Sequence, residues 1–141
     1  MRQGPPAPWP SVTLDSEGLW AVAKNDSEDA RAVLAASSEA GVPVVVPSVV
    51  LAETLFGVGR DARANQVLKK IHVFPVTELV ARAAAKLKVR TGATGVAPTI
   101  DAIVVATSAA FGGGVVLTSD SDDINALAEG APGVRIRAVR V

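Results

Sequence analysis

The chain has 141 residues, 49% of them hydrophobic and 20% charged, which is enough for one well-packed domain and argues against intrinsic disorder. Cysteine is absent, so disulfide scaffolds, zinc–thiolate sites and cysteine nucleophiles are excluded, and we expect a reducing, cytoplasmic location. Aromatic residues make up only 4% of the chain, which weakens any function that depends on stacking many bases on rings.

The charges are unevenly distributed, although the formal net charge is zero. Residues 60–90 hold eight basic and two acidic side chains, whereas residues 91–130 hold five acidic side chains and no basic one. These charges could simply coat solvated helix faces. Alternatively, a basic helical region lies beside an acidic centre, which is the arrangement that a site binding a polyanion through a metal ion would need.

The beginning of the chain differs in composition from the rest. Residues 1–10 include four prolines and no apolar core of the kind a signal peptide has. No apolar stretch in the sequence approaches the length of a membrane span. We therefore predict a flexible, proline-rich tail over residues 1–10 and a single domain over residues 11–141, with no association with a membrane.

Strand and helix patterns alternate along this domain. Short β-prone or β-branched runs predict five strands, at residues 11–14, 42–46, 71–76, 115–118 and 134–141. Apolar spacings of three and four residues predict helices that begin near Leu19, Ser27, Pro47, Ala62, Thr77, Thr99 and Ile124. Residues 92–98 and 120–123 are predicted to be loops. The pattern predicts the α/β class: one three-layer domain with a mainly parallel five-stranded sheet, closed by residues 134–141 as an edge strand.

Acidic residues follow two of the predicted strands. Asp15 comes directly after the first strand, and Asp120 follows the fourth, with Asp122 and Asp123 close behind. In open α/β sheets the functional crevice lies beyond the carboxyl ends of the strands. Asp15 could equally be the N-cap of the next helix, and Asp123, just before an apolar run, is better explained as a cap than as a ligand.

Two further acids lie within apolar helices. Glu53 has apolar neighbours on both sides, and Asp101 lies between isoleucine and alanine. A carboxylate in such a setting is costly to bury unless it is paired or bound to a metal ion. Asp101 could instead stabilise the N-terminus of its helix. Carboxylates that converge repel one another unless a hard cation such as Mg²⁺ or Mn²⁺ neutralises them, and such a centre beside basic helices suits phosphodiester hydrolysis.

Four segments carry a resemblance to a known family. They are Val-Thr-Leu-Asp15-Ser16, then Val-Pro-Ser-Val-Val-Leu-Ala-Glu53, then Thr-Ile-Asp101-Ala-Ile-Val-Val-Ala, then Val-Leu-Thr-Ser-Asp120-Ser-Asp122-Asp123-Ile. In this order and context they resemble the PIN-domain ribonucleases, and most closely the VapC-type toxins of bacterial toxin–antitoxin modules. The resemblance covers about residues 11–141, and it implies that this region is a PIN-like nuclease domain.

The resemblance implies an endoribonuclease that depends on Mg²⁺ or Mn²⁺, forms a homodimer and is neutralised by a cognate antitoxin. Carried over by motif, the catalytic acids are Asp15, Glu53, Asp101 and Asp120, and all four belong to the metal site, with Asp122 as a fifth carboxylate. The hydroxyl residues that flank these motifs, Ser16 and Thr118, support the site. The substrate is RNA, whose phosphates the basic residues of 60–90 would track.

Two further residues, Glu17 and His72, and three other functions have to be considered. Glu17, in a place where the family usually has a small or apolar residue, is better explained as a first-turn helix residue than as an extra acid of the site, and His72 as a structural residue. A catalytically silent PIN-fold interaction module is the alternative function. A Mg²⁺-binding receiver-like signalling domain is less favoured, because the last strand offers arginine instead of the expected lysine. A phosphatase of the haloacid dehalogenase type is disfavoured because residues 15–17 lack its paired aspartates.

Overall fold

The computed structural model describes residues 9–141, apart from the side chains of Val96 and Ala97. The flexible tail predicted for residues 1–10 therefore lies largely outside the described residues. Trp9, near its end, packs against the hydrophobic core, and its indole Nε1 donates a hydrogen bond to Ser37 Oγ at 3.0 Å. The contacts of the domain thus include a residue ahead of the boundary predicted at residue 11.

Five strands form one sheet in the order β3-β2-β1-β4-β5, and every pairing between them is parallel. The strands are β1 (Val12–Leu14), β2 (Val44–Pro47), β3 (His72–Phe74), β4 (Gly114–Thr118) and β5 (Ile136–Arg140). The α/β class with a parallel five-stranded sheet is confirmed, as is the position of the last strand at an edge.

Within residues 9–141, seven α-helices cover the sheet in two groups. The helices are α1 (Ser16–Lys24), α2 (Glu28–Ala40), α3 (Ser48–Thr54), α4 (Ala62–Leu68), α5 (Glu78–Thr91), α6 (Val96–Ala110) and α7 (Ser121–Ala128), and a 3₁₀ turn, Gly59–Asp61, precedes α4. Helix α1 packs on α2, α3 and α4, whereas α5, α6 and α7 pack on one another. None of the described helices is long and apolar enough to cross a membrane.

The core lies around the central strand β1. Val12 and Leu14 are completely buried there, and Val115, Val116 and Leu117 of β4 are buried beside them. Gly114, where β4 begins, has a φ of +129°. A Cβ at that position would collide with the carbonyl oxygen of Ser11, so only glycine permits this approach of β4 to β1.

Two predicted boundaries on the functional side of the sheet are wrong. Helix α6 begins at Val96, not at Thr99. Pro98 lies in the first turn, where a backbone N–H has no partner within the helix, so the proline does not prevent the helix from starting before it. Helix α7 begins at Ser121, so Asp122 and Asp123 lie in its first turn and not in a loop. In both cases a segment rich in turn-forming residues is the start of a helix.

Candidate metal centre

The side of β1 on which successive strands are added changes between β3 and β4, while all the strands stay parallel. Strands β2 and β3 lie on one side of β1, and β4 and β5 lie on the other. Because all strands are parallel, the loops after β1 and β4 emerge side by side at this switch point, where α/β sheets form their binding crevices. Asp15 follows β1, and Asp120 follows β4 after Ser119. The topology therefore brings these two acids to one place from distant parts of the sequence.

Asp15 is both a helix cap and a buried acid. Its Oδ1 accepts a hydrogen bond from the backbone N–H of Gly18 at 2.8 Å, as an N-cap of α1 does. The residue is only 8% exposed. Burial raises the pKa of Asp15 above its ordinary value, although hydrogen bonds from the Thr118 hydroxyl and the Gly18 N–H oppose the rise. The two explanations of Asp15 from sequence are thus compatible.

Three other carboxylates lie close together. Each of Asp101, Asp120 and Asp123 offers an oxygen, and these three oxygens all lie within 4.8 Å of one another. Burial, followed by the charges of Asp15, Asp120, Asp123 and Glu53, raises the pKa of Asp101 to about 6. Like charges that crowd one carboxylate make its ionised form unfavourable, which is the electrostatic situation a divalent cation relieves.

Asp123 is the acid that sequence reasoning assigned differently. A hydrogen bond with Asp120 and the charge of Asp120 raise the pKa of Asp123. Helix α7 begins directly after Asp120, so Asp120 and Asp123 are three residues apart on one helix face, whereas Asp122 is not. Among residues 9–141, Asp122 is not part of the group of oxygens within 4.8 Å. A predicted start of α7 at Ser121 would have placed Asp123 on the same helix face as Asp120.

Glu53 lies at the edge of this group. It is in the last turn of α3 and exposed as a residue. Partial burial of its carboxyl, together with the charges of Asp15 and Glu17, raises the pKa of Glu53. Glu53 therefore interacts electrostatically with the buried acids while remaining accessible to solvent.

Glu17 has two effects. As predicted, it lies in the first turn of α1. Its charge also raises the pKa of both Asp15 and Glu53, so it adds to the negative potential of the centre.

Hydroxyl side chains fix the positions of the acids. The Thr54 hydroxyl lies 2.7 Å from the Val50 carbonyl and 2.9 Å from Ser16 Oγ. Since a hydroxyl holds one hydrogen, Thr54 donates to Val50 and Ser16 donates to Thr54, which ties the start of α1 to the helix that carries Glu53. Thr118 Oγ1 accepts the Asp120 N–H at 2.9 Å.

Basic side chains reach the same edge. Lys88 Nζ donates to Thr99 Oγ1 at 2.6 Å, two residues before Asp101. Lys24 and Arg140 line a polar cavity of about 470 Å³ together with Glu17 and Ser119. Lys24 of α1 and Arg140 of β5, which lie outside residues 60–90, therefore contribute positive charge at this edge.

The acids present fit a hard divalent cation. All the donors are carboxylate oxygens, which Mg²⁺ and Mn²⁺ prefer, and no histidine belongs to the group. Asp101, Asp120 and Asp123 would hold the ion, with Asp15 next to them. Burial and then the neighbouring carboxylates raise the pKa of Asp101, so its ionised form is disfavoured unless a cation is bound.

Comparison with known proteins supports this fold. In overall structure the chain is similar to VapBC2 from Rickettsia felis bound to a DNA fragment from its promoter, with a TM-score of 0.64, 11% identity and coverage of 91% of this chain and 98% of that one. It is similar to DNA-bound VapBC from Salmonella typhimurium, with a TM-score of 0.62, 19% identity and coverage of 91% and 97%. A toxin–antitoxin complex from Klebsiella pneumoniae has a TM-score of 0.62, 18% identity and coverage of 92% and 96%.

Sequence comparison gives the family. No curated protein sequence matches the chain. The profile of the PIN domain matches residues 12–130, which span β1 to the end of α7 and include all the acids described above. The chain belongs to the PIN domain family.

Proposed function

We propose that the protein is an endoribonuclease that depends on Mg²⁺ or Mn²⁺ and acts as the toxin of a type II toxin–antitoxin pair. The observation that carries the proposal is the group of three carboxylate oxygens within 4.8 Å of one another, beside the buried Asp15. Like charges this close together destabilise the fold in the absence of a cation, so a purely structural role does not explain them.

Different residues of the chain would bind the metal ion, accept a proton and bind phosphate during phosphodiester hydrolysis. Asp101, Asp120 and Asp123, with Asp15, would hold the divalent ion, which when bound lowers the pKa of water and offsets charge on the phosphate. Glu53, exposed and with a raised pKa, is suited to accept the proton of the attacking water. The water oxygen bonds to phosphorus as the ester P–O bond breaks, and the ribose oxygen that leaves takes up a proton from solvent water. Lys24 and Arg140 would hold neighbouring phosphates beside the centre.

The partners are also part of the proposal. Solved proteins of this fold occur in VapBC and other toxin–antitoxin complexes, which supports an antitoxin as partner of this chain. Asp122, as a further ligand, remains a proposal, as do the assembly of two copies, a cytoplasmic location and RNA as the substrate.

Cleavage of a mixed pool of structured RNAs tests the activity. Wild-type protein is expected to cut the pool in Mg²⁺ or Mn²⁺ and not in EDTA, and Asp101→Asn is expected to be inactive in all three. Glu39→Gln, an exposed carboxylate at the end of α2, is the control and should cut like the wild type. Cutting by Asp101→Asn that still depends on metal would contradict the site.

Toxicity is tested by induced expression in a bacterial host. The wild type is expected to arrest growth and Asp101→Asn to leave it unaffected at equal protein level. Absence of cleavage combined with a Tm that Mn²⁺ does not change would instead favour a catalytically silent interaction module.

A further inference from the structure

The segment between α3 and the 3₁₀ turn exposes apolar side chains to solvent. In this segment, residues 55–60, here named the Phe56 loop, Phe56 and Val58 are each 59% exposed. All five aromatic residues of the chain lie in the described part, and Phe56 is the one that is exposed. A single exposed apolar side chain is ordinary, but Phe56 and Val58 are exposed two residues apart, and exposed apolar groups that occur together indicate an interaction site.

A buried carboxylate holds the loop in one conformation. Both carboxylate oxygens of Asp61 accept the Phe56 N–H at 3.0 Å, and one also accepts the Gly57 N–H at 2.7 Å. Asp61 is only 2% exposed, and hydrogen bonds from the Phe56, Gly57 and Val58 N–H groups, with a smaller effect of the Arg60 charge, lower its pKa against the effect of burial, so it is charged at neutral pH. The charge of Asp61 is therefore used within the loop, and the Phe56 ring is presented by a fixed backbone.

A cation lies on the Phe56 ring. The guanidinium carbon of Arg60 is 4.5 Å from the centre of the ring, which is the distance of a cation–π contact. Within residues 9–141 no carboxylate lies within ion-pair distance of Arg60. A guanidinium that stacks on a ring keeps its in-plane N–H donors free, and these match the oxygens of a phosphate.

The Phe56 loop begins at the edge of the acidic centre. Phe56 follows Glu53 by three residues, so their Cα atoms are no more than about 11 Å apart. The hydrogen bond between Ser16 and Thr54 fixes the end of α3 against the start of α1, next to Asp15. A chain of nucleotides at the carboxylates would therefore pass within reach of the ring.

We propose that Phe56 stacks on an unpaired base of the RNA beside the cleaved phosphodiester, while Arg60 binds an adjacent phosphate. The inference rests on the proposed nuclease function and deepens it, since it selects single-stranded RNA. A nucleotide offers a flat ring and an anion together, as the Phe56–Arg60 pair requires. An apolar protein segment would fit Phe56 and Val58 but would cover the Arg60 guanidinium without offering an anion to its free N–H donors.

Binding to a labelled single-stranded RNA 12-mer tests the proposal. The protein carries Asp101→Asn to prevent cleavage, and Phe56→Leu keeps the apolar volume while removing the ring. Phe56→Leu is expected to weaken RNA binding at least about fivefold, and Phe56→Trp to restore it. Leu79→Ala, which removes a side chain that is 79% exposed elsewhere, is the matched control and should bind as before.

An oligomer of abasic ribose phosphates of the same length separates stacking from charge. Phe56→Leu should not change its binding, whereas Arg60→Gln should weaken binding of both oligomers and reduce their dependence on salt. Equal RNA affinity in Phe56→Leu and its parent overturns the inference, and it favours a protein partner, whose apolar contact leucine would preserve. The Tm of each variant shows whether the fold is intact.

Cleavage by the otherwise wild-type enzyme separates this inference from the function on which it rests. Phe56→Leu is expected to raise KM at least about fivefold with little change in kcat. If the wild type cuts RNA and Phe56→Leu has an unchanged KM, only the stacking is contradicted. A wild type that neither binds nor cuts RNA contradicts both proposals.

Discussion

Among single residues, Asp101 has the clearest energetic signature. Its pKa in the folded protein, about 6, lies above the ordinary value of 3.8, so between these values the folded state binds a proton that the unfolded state does not. The metal-free protein should therefore gain stability as the pH falls from 7 towards 4, by about 2 kcal/mol from this group.

Urea unfolding in EDTA measures this effect. At pH 7, Asp101→Asn is expected to be more stable than the wild type by about 2 kcal/mol, because the crowded charge is gone. At pH 4.5 the difference should be smaller but not zero, because Asp101 is then protonated in the folded wild type while the unfolded chain, with its ordinary pKa of 3.8, is still largely ionised. Glu39→Gln, at an exposed position on α2, is the control variant at both pH values. A difference between the wild type and Asp101→Asn that is equal at both pH values would contradict the role of Asp101.

Asp122 and Asp123 are adjacent but differ in where α7 directs them. Only Asp123 is within the group of oxygens around Asp101 and Asp120. Asp123→Asn is therefore expected to reduce the rise in Tm that Mn²⁺ produces, and Asp122→Asn to reduce it less. Differential scanning fluorimetry with and without Mn²⁺ checks this, with Asp29→Asn as an exposed control on α2. The opposite order would return Asp122 to the ligand set.

The limits of sequence reasoning are visible at these residues. The ends of the predicted strands and the apolar neighbours of Glu53 and Asp101 were sufficient to select acids for the centre. The assignment of Asp123 depended on a helix start that was predicted three residues late, which left Asp120 to Asp123 in a loop and concealed that Asp120 and Asp123 share one helix face. The catalytic and metal-binding roles remain predictions until they are tested.

Among the elements, helix α1 and strand β4 are in unusually close contact. A Cβ on Gly18 would collide with the carbonyl oxygen of Leu117. Gly18→Ala should therefore push α1 away from the sheet, lower the free energy of unfolding by about 1–3 kcal/mol and weaken cleavage, because α1 carries the cap contact of Asp15. Urea unfolding and the RNA assay measure the two effects.

Gly59 provides the comparison for stability. A Cβ there would have no atom within 4 Å, and the residue has no positive φ. Gly59→Ala should leave the free energy of unfolding nearly unchanged. A loss of stability as large as that of Gly18→Ala would mean that the close packing of α1 is not the cause.

The Phe56 loop depends on Asp61 in a way that hydrogen exchange can detect. Asp61→Asn replaces an acceptor with an amide whose NH₂ opposes the N–H donors of Phe56 and Gly57. The amide protons of these two residues should then exchange faster than in the wild type, while those of β1 remain protected. Unchanged exchange at Phe56 would show that the loop is held by other contacts. Asp29→Asn, on α2 and far from Asp61 in the sequence, is the control.

The boundaries of the elements could be predicted where local signals dominate. Ser27 and Gly41 cap α2, and Thr77 and Gly92 cap α5, as their residue types indicate. The start of α6 was missed because glycine and proline normally indicate a loop, and only packing on α5 and the sheet stabilises a helix there. The order of the strands depends on contacts between distant parts of the chain and was not predicted.

For the whole molecule, the acidic centre couples metal binding to stability. A cation that binds only the folded state raises Tm in proportion to the logarithm of its concentration. Mn²⁺ is expected to raise the Tm of the wild type at pH 7 and to do so less at pH 5, since protons compete at Asp101. NaCl at equal ionic strength is the control, and a rise in Tm that is the same in Asp101→Asn would place the bound ion elsewhere.

The central position of β1 also determines when the centre can form during synthesis. Val12 pairs with Val115, so the strand that begins the sheet acquires its second neighbour only when most of the chain has been made. Loop closure over such a separation is slow compared with the formation of the helices. A nascent chain that ends before β4 already contains Asp15, Glu53 and Asp101, yet it has no neighbouring strand to bring Asp120 and Asp123 to them. The acidic centre can therefore assemble only after β4 has joined β1 in the sheet.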